Sequence, residues 1–226
     1  MMKITWLGQA GLLFEKNGLK IMVDPYLSDS CKALNPKSAR RVPVDENVFD
    51  IKPDVIILTH NHLDHTDPET LKHFIKEDSG ILVLASENAW ANVRTMGGNN
   101  NYVRMHPYTE WTFKGIHFSA VKADHSDANS IGMIIDDGDK KYYVTGDTLY
   151  NRTILDDIPD DIEAVFLPVN GVGNNMNMID AKRFSEAVGA KYTVPLHFGL
   201  FDDINGNDFE CDGKVVPEFF KEIILK

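Results

Sequence analysis

The alternation of apolar and polar residues along the chain predicts many short strands separated by turns. The run Asp54–Thr59 is continuously apolar and β-branched, as expected of a strand that is buried on both faces. The other predicted strands are Lys3–Leu7, Gly11–Glu15, Leu19–Asp24, Ile81–Ala85, Thr112–Phe113, Ile116–Val121, Gly132–Ile135, Lys141–Thr145, Ala164–Pro168 and Tyr192–Pro195.

Capping residues and helical spacing predict four helices between and after these strands. Asp67 is a typical N-cap, and Pro68 suits the first helical position that follows it. The further helices are predicted over Glu87–Thr95, Asp180–Val188 and Pro217–Leu225, and loops are predicted over Ser28–Val48, Gly97–Tyr102 and Phe198–Cys211.

The order of these elements indicates an α/β fold. Each half of the chain is rich in strands and ends in helices, which favours two mixed sheets packed together with helices outside. A length of 226 residues fits one domain, over 1–226, with an ample core.

Composition agrees with a globular protein, since 43% of the residues are hydrophobic and 25% are charged. No apolar run approaches the ~20 residues that cross a bilayer. The amino-terminal segment is interrupted by glycines, unlike an export signal, and Cys31 and Cys211 alone imply no disulfide framework. We therefore expect a cytoplasmic protein that does not bind membranes; its sequence leaves open whether it forms a homo-oligomer.

The net charge of −11 argues against a protein that binds the phosphate backbone of nucleic acids. One local stretch is basic and contains Lys32, Lys37, Arg40 and Arg41. A solvated loop is the simpler interpretation of this stretch. The alternative hypothesis is that Arg40 or Arg41 contacts an anionic group of a small-molecule substrate.

The strongest chemical signal follows the predicted strand that ends at Thr59. His60, His62, Asp64 and His65 fall within six residues, at the strand end where a rigid scaffold presents functional groups. Imidazole and carboxylate groups are the ligands that zinc, iron and manganese accept. This spacing predicts a metal site.

The same segment resembles the HxHxDH signature of the metallo-β-lactamase superfamily, and every position of the signature is matched. The resemblance requires a further histidine about sixty residues on, an aspartate after another strand and a last histidine near the carboxyl terminus. His125, Asp147 and His197 meet these requirements, and each follows a predicted strand.

The resemblance implies a four-layer αββα sandwich and a dinuclear site. It assigns His60, His62 and His125 to one divalent metal ion, Asp64, His65 and His197 to the other, and Asp147 to both. Zinc is the first expectation for the metal, manganese is the second, and iron is the third. The implied activity is hydrolysis by a metal-activated water, with Asp64 orienting the water and Asp147 bridging the ions. His73, His106 and His117 are interpreted as structural or surface residues.

Within the superfamily, the chain is most similar to the ascorbate-6-phosphate lactonase-like hydrolases, on segments around Trp6–Gly11, Pro168–Gly171 and Pro195–Gly199. A lactone, with or without a phosphate, is thus the favoured substrate; phosphodiester or thioester hydrolysis is the alternative. A metal-binding scaffold without catalysis is a further alternative. Gln9, Asp24 and Asn170 are candidates for orienting metal ligands or substrate, and each also suits a turn.

Overall fold

A computed structural model describes residues 2–226 and contains two six-stranded sheets. The first sheet has the strand order β1-β2-β3-β4-β5-β6, and its strands are Lys3–Gly8, Gly11–Lys16, Leu19–Val23, Val55–Leu58, Leu82–Ser86 and Asn101–Met105. The second has the order β12-β11-β10-β9-β8-β7, and its strands, β7 to β12 in chain order, are Glu110–Phe113, Ile116–Lys122, Ile131–Asp136, Lys141–Val144, Ile162–Pro168 and Tyr192–Leu196.

Within residues 2–226, five α-helices and four short 3-10 turns lie between or after the strands. The α-helices, α1 to α5, are Ser30–Leu34, Pro68–Phe74, Glu87–Val93, Arg152–Leu155 and Met178–Val188. The 3-10 turns are Pro36–Ser38, Glu46–Asp50, Arg94–Met96 and Gly206–Asp208. None of the helices over residues 2–226 has the length and apolar character that crossing a bilayer requires.

The side chains of β4 show why the two sheets stack. Val55 and Ile57 belong to the apolar core between the sheets, whereas Ile56 and Leu58 belong to a second apolar cluster that α2 and α3 cover. Because alternate residues of a strand point to opposite faces, a continuous apolar run buries both faces at once. The predicted buried strand is thus confirmed.

Aromatic side chains fill the space between the sheets, and α5 covers the outer face of the second sheet. Phe14 of β2 lies 5.6 Å from the ring of Phe166 on β11 and 6.0 Å from that of Tyr142 on β10. Ala181, Phe184 and Val188 of α5 are buried, and the Phe184 ring lies 6.4 Å from that of Tyr143, which points to the opposite face of β10 from Tyr142. The layers are therefore helix, sheet, sheet and helix, as the αββα prediction requires.

The predicted cap of α2 is confirmed. The Asp67 carboxylate accepts hydrogen bonds from the backbone amides of Glu69 and Thr70, each at 3.1 Å, and from the Thr70 hydroxyl. The cap satisfies amides that the first helical turn leaves without partners. It also fixes the point at which the segment of candidate ligands ends.

The prediction of a helix over residues 217–225 is wrong. This segment instead runs along the free edge of β1, where the Trp6 amide donates to the Lys221 carbonyl and the Ile223 amide donates to the Ile4 carbonyl. An unpaired strand edge exposes a row of hydrogen-bonding groups, and these groups determine the backbone of the segment. The Phe219 ring stacks on Trp6, with centroids 4.3 Å apart, and anchors the segment.

All three predicted loops also contain short regular structure. Residues 101–102, assigned to a loop, begin β6, which pairs in parallel with β5. The segment predicted as the Ser28–Val48 loop contains α1 and a 3-10 turn at Pro36–Ser38. The Phe198–Cys211 loop contains the 3-10 turn at Gly206–Asp208. Each of these elements is too short for a pattern of apolar residues to reveal.

Candidate metal centre

The carboxyl ends of several strands bring the predicted ligands to one edge of the sandwich. Residues 60–65 follow β4, His125 follows β8, Asp147 follows β10 and His197 follows β12. Gln9 and Asp24 follow β1 and β3 at the same place. We refer to the seven predicted ligands together as the donor cluster: His60, His62, Asp64, His65, His125, Asp147 and His197.

Residues 60–65 form a tight turn that aims several side chains toward one point. The amides of His65 and Thr66 donate to the His62 carbonyl at 3.0 and 2.8 Å. The Thr66 hydroxyl closes the turn by donating to the His60 carbonyl at 2.7 Å. The backbone is therefore fixed by its own hydrogen bonds.

Three histidines form the first group of facing donor atoms. His62 Nδ1 lies 3.0 Å from His60 Nε2 and 3.1 Å from His125 Nε2. Three imidazole nitrogens at one point are a typical set of ligands for zinc and related cations.

The second group combines a carboxylate with two histidines. Asp64 Oδ2 lies 3.3 Å from His197 Nε2 and 3.8 Å from His65 Nε2. All three donor atoms lie within 4.8 Å of one another.

Asp147 lies between the two groups. Its Oδ2 atom is 3.2 Å from His197 Nε2 and 3.4 Å from His65 Nε2, which belong to the second group. The same atom is 3.8 Å from His125 Nε2, which belongs to the first. A single carboxylate therefore faces both sets of nitrogens.

The donor cluster fits metal ions on grounds of chemistry and of unmet hydrogen bonding. Ligand atoms ~2.1 Å from a tetrahedral cation lie ~3.4 Å apart, close to the separations just given. His65 Nε2 and Asp147 Oδ1 are both buried and have no hydrogen-bond partner. Buried polar atoms rarely lack a partner, so a cation is the natural group to satisfy them.

Asp24 orients His65 directly and His60 through the Thr59 hydroxyl. Its Oδ2 accepts from the Thr59 hydroxyl at 2.5 Å and lies 2.9 Å from His65 Nδ1. The Thr59 hydroxyl also lies 3.1 Å from His60 Nδ1. Each ring thus has its Nδ1 engaged and its Nε2 turned toward the metal position, which is how carboxylates orient metal-binding histidines. Of the two roles predicted for Asp24, orientation of ligands is the one that its contacts support.

Residues 170–177 form a loop, here called the amide loop, that contacts donors of both groups. The Asn174 backbone carbonyl lies 3.1 Å from His125 Nδ1, and the Asn175 side-chain amide donates to Asp147 Oδ2 at 2.8 Å. Asn170 Nδ2 lies 2.9 Å from His197 Nδ1, while its own Oδ1 is buried without a partner. Turning this amide over would let Oδ1 accept from the Nδ1 hydrogen, leaving His197 Nε2 free to bind metal.

Gln9 also acts at the centre rather than only in a turn. Its side-chain amide donates to Asp64 Oδ2 at 2.8 Å and lies 3.1 Å from both ring nitrogens of His197. Its backbone carbonyl accepts from the His197 backbone amide at 3.0 Å. Gln9 therefore ties the end of β12 to the segment of residues 60–65.

The charges of the metal-free centre are strongly coupled. Burial lowers the pKa of His60 well below its ordinary value, and neighbouring histidines add to this effect. Burial also acts to lower the pKa of His65 and of His197, but the charges of the Asp147 and Asp64 carboxylates outweigh this effect. These charges raise the pKa of His197 to about 9 and hold the pKa of His65 well above its ordinary value.

The carboxylates respond in the opposite sense. Burial opposes ionisation of Asp64 and Asp147, but the charges of His65 and His197 hold the pKa of each carboxyl below its ordinary value. Negative charge is thus retained inside the protein, where a divalent cation can replace the protons on the histidines.

A cleft of about 400 Å³ opens onto the donor cluster. It is lined by His62, Asp64, His125, Asp147 and His197 and, around them, by Gln9, Cys31, Lys37, Ser38, Ser126, Asn170, Val172, Gly173, Asn175, Phe201 and Asp202. A concave site with a few polar groups of this kind suits a small molecule.

Neither Arg40 nor Arg41 lines the cleft, so the hypothesis that they contact the substrate is not supported by the structure. Arg40 donates to the Tyr26 carbonyl at 2.8 Å and to the Val42 carbonyl at 3.2 Å. Arg41 forms an ion pair with Asp203. Both guanidinium groups are directed to the protein itself.

The three remaining histidines lie outside the donor cluster, as the sequence analysis predicts. His73 is exposed and packs on the Phe49 ring, and His106 lies 3.8 Å from Glu87. His117 is half-buried, with a buried residue on each side of it in β8.

Sequence analysis did not identify Thr59, Asn174 or Asn175. The sequence does carry a signal, since residues 170–177 contain four asparagines. A short run so rich in amides next to a glycine-containing turn indicates side chains that bond to other parts of the chain.

Comparison with known proteins identifies the family. The model of the β-lactamase superfamily domain matches residues 3–197. UPF0173 metal-dependent hydrolases of Staphylococcus carnosus and Geobacillus thermodenitrificans are each 30% identical to this chain, over 100% and 90% of its length and 94% and 88% of theirs.

Solved structures agree with this fold. Igni18, a metallo hydrolase from Ignicoccus hospitalis, has a TM-score of 0.77 at 18% identity, covering 98% of this chain and 97% of that chain. An isothiocyanate hydrolase from Delia radicum gut bacteria has a TM-score of 0.74 at 21% identity, covering 99% and 98%. The chain therefore belongs to the β-lactamase superfamily and, within it, to the UPF0173 metal-dependent hydrolases.

Proposed function

We propose that this metal-dependent hydrolase holds two divalent metal ions and cleaves an ester-like bond, with a lactone as the favoured substrate. The observation that carries the proposal is the position of Asp147 Oδ2, which faces His125 on one side and His65 and His197 on the other. A carboxylate oxygen in this position is the ligand that two neighbouring cations can share.

The donor cluster divides between the ions by distance. His60, His62 and His125 would hold the first ion, and Asp64, His65 and His197 would hold the second, with Asp147 common to both. Divalent ions at such a centre lower the pKa of a bound water and polarise the oxygen of the bond that it attacks. Zinc is the metal first proposed, followed by manganese and iron, because imidazole-rich sets with carboxylates accept all three.

Asp64 is the carboxylate best placed to take part in proton transfer. Both carboxylates line the cleft, but the Asp64 side chain is 20% exposed, against 6% for Asp147. Gln9 donates to one of its oxygens and restricts its rotation. Hydrolysis removes a proton from water and adds one to the leaving oxygen, and Asp64 would hold that proton between the two events.

The size of the cleft favours a small-molecule substrate over a polymer. Most lining residues are polar in type, and Val172 and Phe201 are among those that contribute a substantial apolar surface. A small molecule, rather than nucleic acid or a membrane, thus remains the proposed partner. Phosphodiesters and thioesters are the alternative substrates, and a scaffold without catalysis is the third possibility.

The test is a comparison of substrate classes on protein of known metal content. Purified protein is stripped with chelator, reconstituted with zinc, manganese or iron, and assayed on lactones, phosphodiesters and thioesters. We expect turnover only with metal, highest for a lactone, and a loss of at least about 100-fold in Asp147→Ala.

Asp139→Ala is the control, because this exposed carboxylate lies in the β9–β10 turn and does not line the cleft. Its turnover should equal that of the wild type. Metal-loaded wild-type protein without turnover on any class would refute the proposed activity, whereas turnover of another class alone would refute only the lactone.

A further inference from the structure

The 3-10 turn at Pro36–Ser38 contributes a lysine to the cleft. Lys37 and Ser38 are both lining residues, and Lys37 is exposed to solvent. Asn35 caps this turn, since its side chain accepts from the Lys37 amide at 3.1 Å. The backbone beneath the lysine is therefore held by a hydrogen bond.

Lys37 differs from the other basic residues of its stretch. Lys32 Nζ lies 3.6 Å from Asp29, and the two arginines are engaged with carbonyl groups or with Asp203, as described above. Across residues 2–226, no carboxylate oxygen lies within 4.0 Å of Lys37 Nζ. Lys37 is also the one lysine or arginine among the residues that line the cleft.

The carboxylates that share the cleft have other functions. Asp64 and Asp147 belong to the donor cluster. Asp202 Oδ1 accepts from the Gly199 amide at 2.8 Å and from the Ile204 amide at 3.0 Å. The ammonium group of Lys37 is therefore available for a negative group that arrives with the substrate.

We propose that Lys37 is a specificity-determining residue that binds an anionic oxygen group of the substrate, either a carboxylate or a phosphate. This inference rests on the proposed function, because it assigns a substrate class to the same cleft. An ion pair with Lys37 would favour ester-like substrates with a negative group outside the scissile bond over neutral ones of the same size.

The kinetic test uses two lactones of the same ring size, one with a carboxylate substituent and one with the corresponding primary amide. For the anionic lactone, we expect Lys37→Met to lower kcat/KM about 10-fold, mainly through a higher KM. For the neutral lactone, kcat/KM should be unchanged. Lys32→Met is the matched control and should retain the selectivity of the wild type, since Lys32 does not line the cleft.

A binding test separates this inference from the proposed function. Calorimetry on metal-loaded protein compares pentanoate with butylphosphonate, neither of which has a bond to hydrolyse. We expect Kd for at least one of them to rise about 10-fold in Lys37→Met and to stay constant in Lys32→Met. The probe with the larger change identifies the anionic group.

Equal Kd values for both probes in wild type and Lys37→Met would overturn the role of Lys37, whatever the turnover assays show. Anion binding that depends on Lys37 in a protein without turnover would refute the proposed hydrolysis and leave the recognition site intact. The two proposals therefore fail in different measurements.

Discussion

Three residues that directly follow strands at the metal centre have positive φ angles that non-glycine residues rarely adopt. Gln9, Asp24 and His197 have φ values of 51°, 42° and 62°, and each comes immediately after the last residue of a strand. A left-handed residue costs roughly 1–2 kcal/mol relative to the right-handed form. Such residues persist where surrounding contacts fix them, and here those contacts are hydrogen bonds to the donor cluster.

Asp24 provides a direct test of this arrangement. We expect Asp24→Asn to weaken metal binding about 10–100-fold, because an amide has one acceptor oxygen, whereas the carboxylate accepts from the Thr59 backbone amide on Oδ1 and from the Thr59 hydroxyl and His65 on Oδ2. Asparagine tolerates the left-handed backbone of this position, so the fold should be retained. Competition with a chromophoric chelator measures the affinity.

Asp54→Asn is the matched control for this change. Asp54 also accepts a backbone hydrogen bond, from the Lys20 amide at 3.0 Å, but it lies at the start of β4, away from the ligands. Its metal affinity should equal that of the wild type. An unchanged affinity in Asp24→Asn would show that the carboxylate has no part in orienting His65.

The junction between β4, β9 and β10 depends on a glycine beside the bridging aspartate. Gly146 has a φ of 62°, and a Cβ atom there would lie 2.9 Å from both the Ile131 carbonyl oxygen and the Thr59 Cβ. The Ile131 amide donates to the Thr59 carbonyl at 3.0 Å, so the backbones that extend from the two sheets are in direct contact at this point. Only glycine fits between them.

We expect Gly146→Ala to destabilise the protein more than the same change at Gly138. Gly138 has a φ of 86° and open space around its Cβ position, so Gly138→Ala would incur the conformational cost alone, roughly 1–2 kcal/mol. The contacts at Gly146 should add about 1–3 kcal/mol to the loss of unfolding free energy in urea. Equal losses at the two positions would contradict the close packing inferred here.

The turn between β9 and β10 contains a buried ion pair whose contribution depends on pH. The Asp137 side chain is 2% exposed, lies 3.1 Å from Lys16 Nζ and accepts from the amides of Asp139 and Lys140. Burial opposes ionisation, but these hydrogen bonds and Lys16 together lower the pKa of Asp137 below its ordinary value of 3.8.

A lowered pKa in the folded state means that the charged form stabilises the protein above pH 3.8 and that this contribution falls away at lower pH. We expect Asp137→Asn to reduce the unfolding free energy by about 1–2 kcal/mol at pH 7, with the difference from wild type closing below about pH 4. Urea unfolding at several pH values measures this difference. Asp139→Asn, at a side chain that is 83% exposed, should change stability by less than about 0.5 kcal/mol at every pH. A constant difference for Asp137→Asn across the pH range would rule out the ion pair as its cause.

For the molecule as a whole, the sequence was sufficient to predict the two-sheet fold and to name seven side chains that the structure brings together at one edge of the sandwich. His60, His62, Asp64 and His65 are close in the chain, and the resemblance located His125, Asp147 and His197 at later strand ends. The groups that orient these donors were harder to find. Thr59 bonds to Asp24 across 35 residues of chain, and Asn175 bonds to Asp147 across 28, so no local spacing indicates these pairs.

Residues 217–225 show that local spacing also fails to predict some secondary structure. Phe219, Phe220 and Ile223 are spaced as in an amphipathic helix. Hydrogen bonds to the free edge of β1 nevertheless determine the backbone conformation of this segment. Strand edges are formed by residues distant in sequence, so tertiary hydrogen bonding overrides the local pattern.

The donor cluster also links the two sheets, because residues 60–65 extend from the first and His125, Asp147 and His197 from the second. The central claim is that these side chains bind two metal ions. Elemental analysis of reconstituted and dialysed protein tests it most directly. We expect about two ions per chain in the wild type and about one in His62→Ala, whose second group of donors is intact. One ion or none per chain in folded wild-type protein would contradict the account.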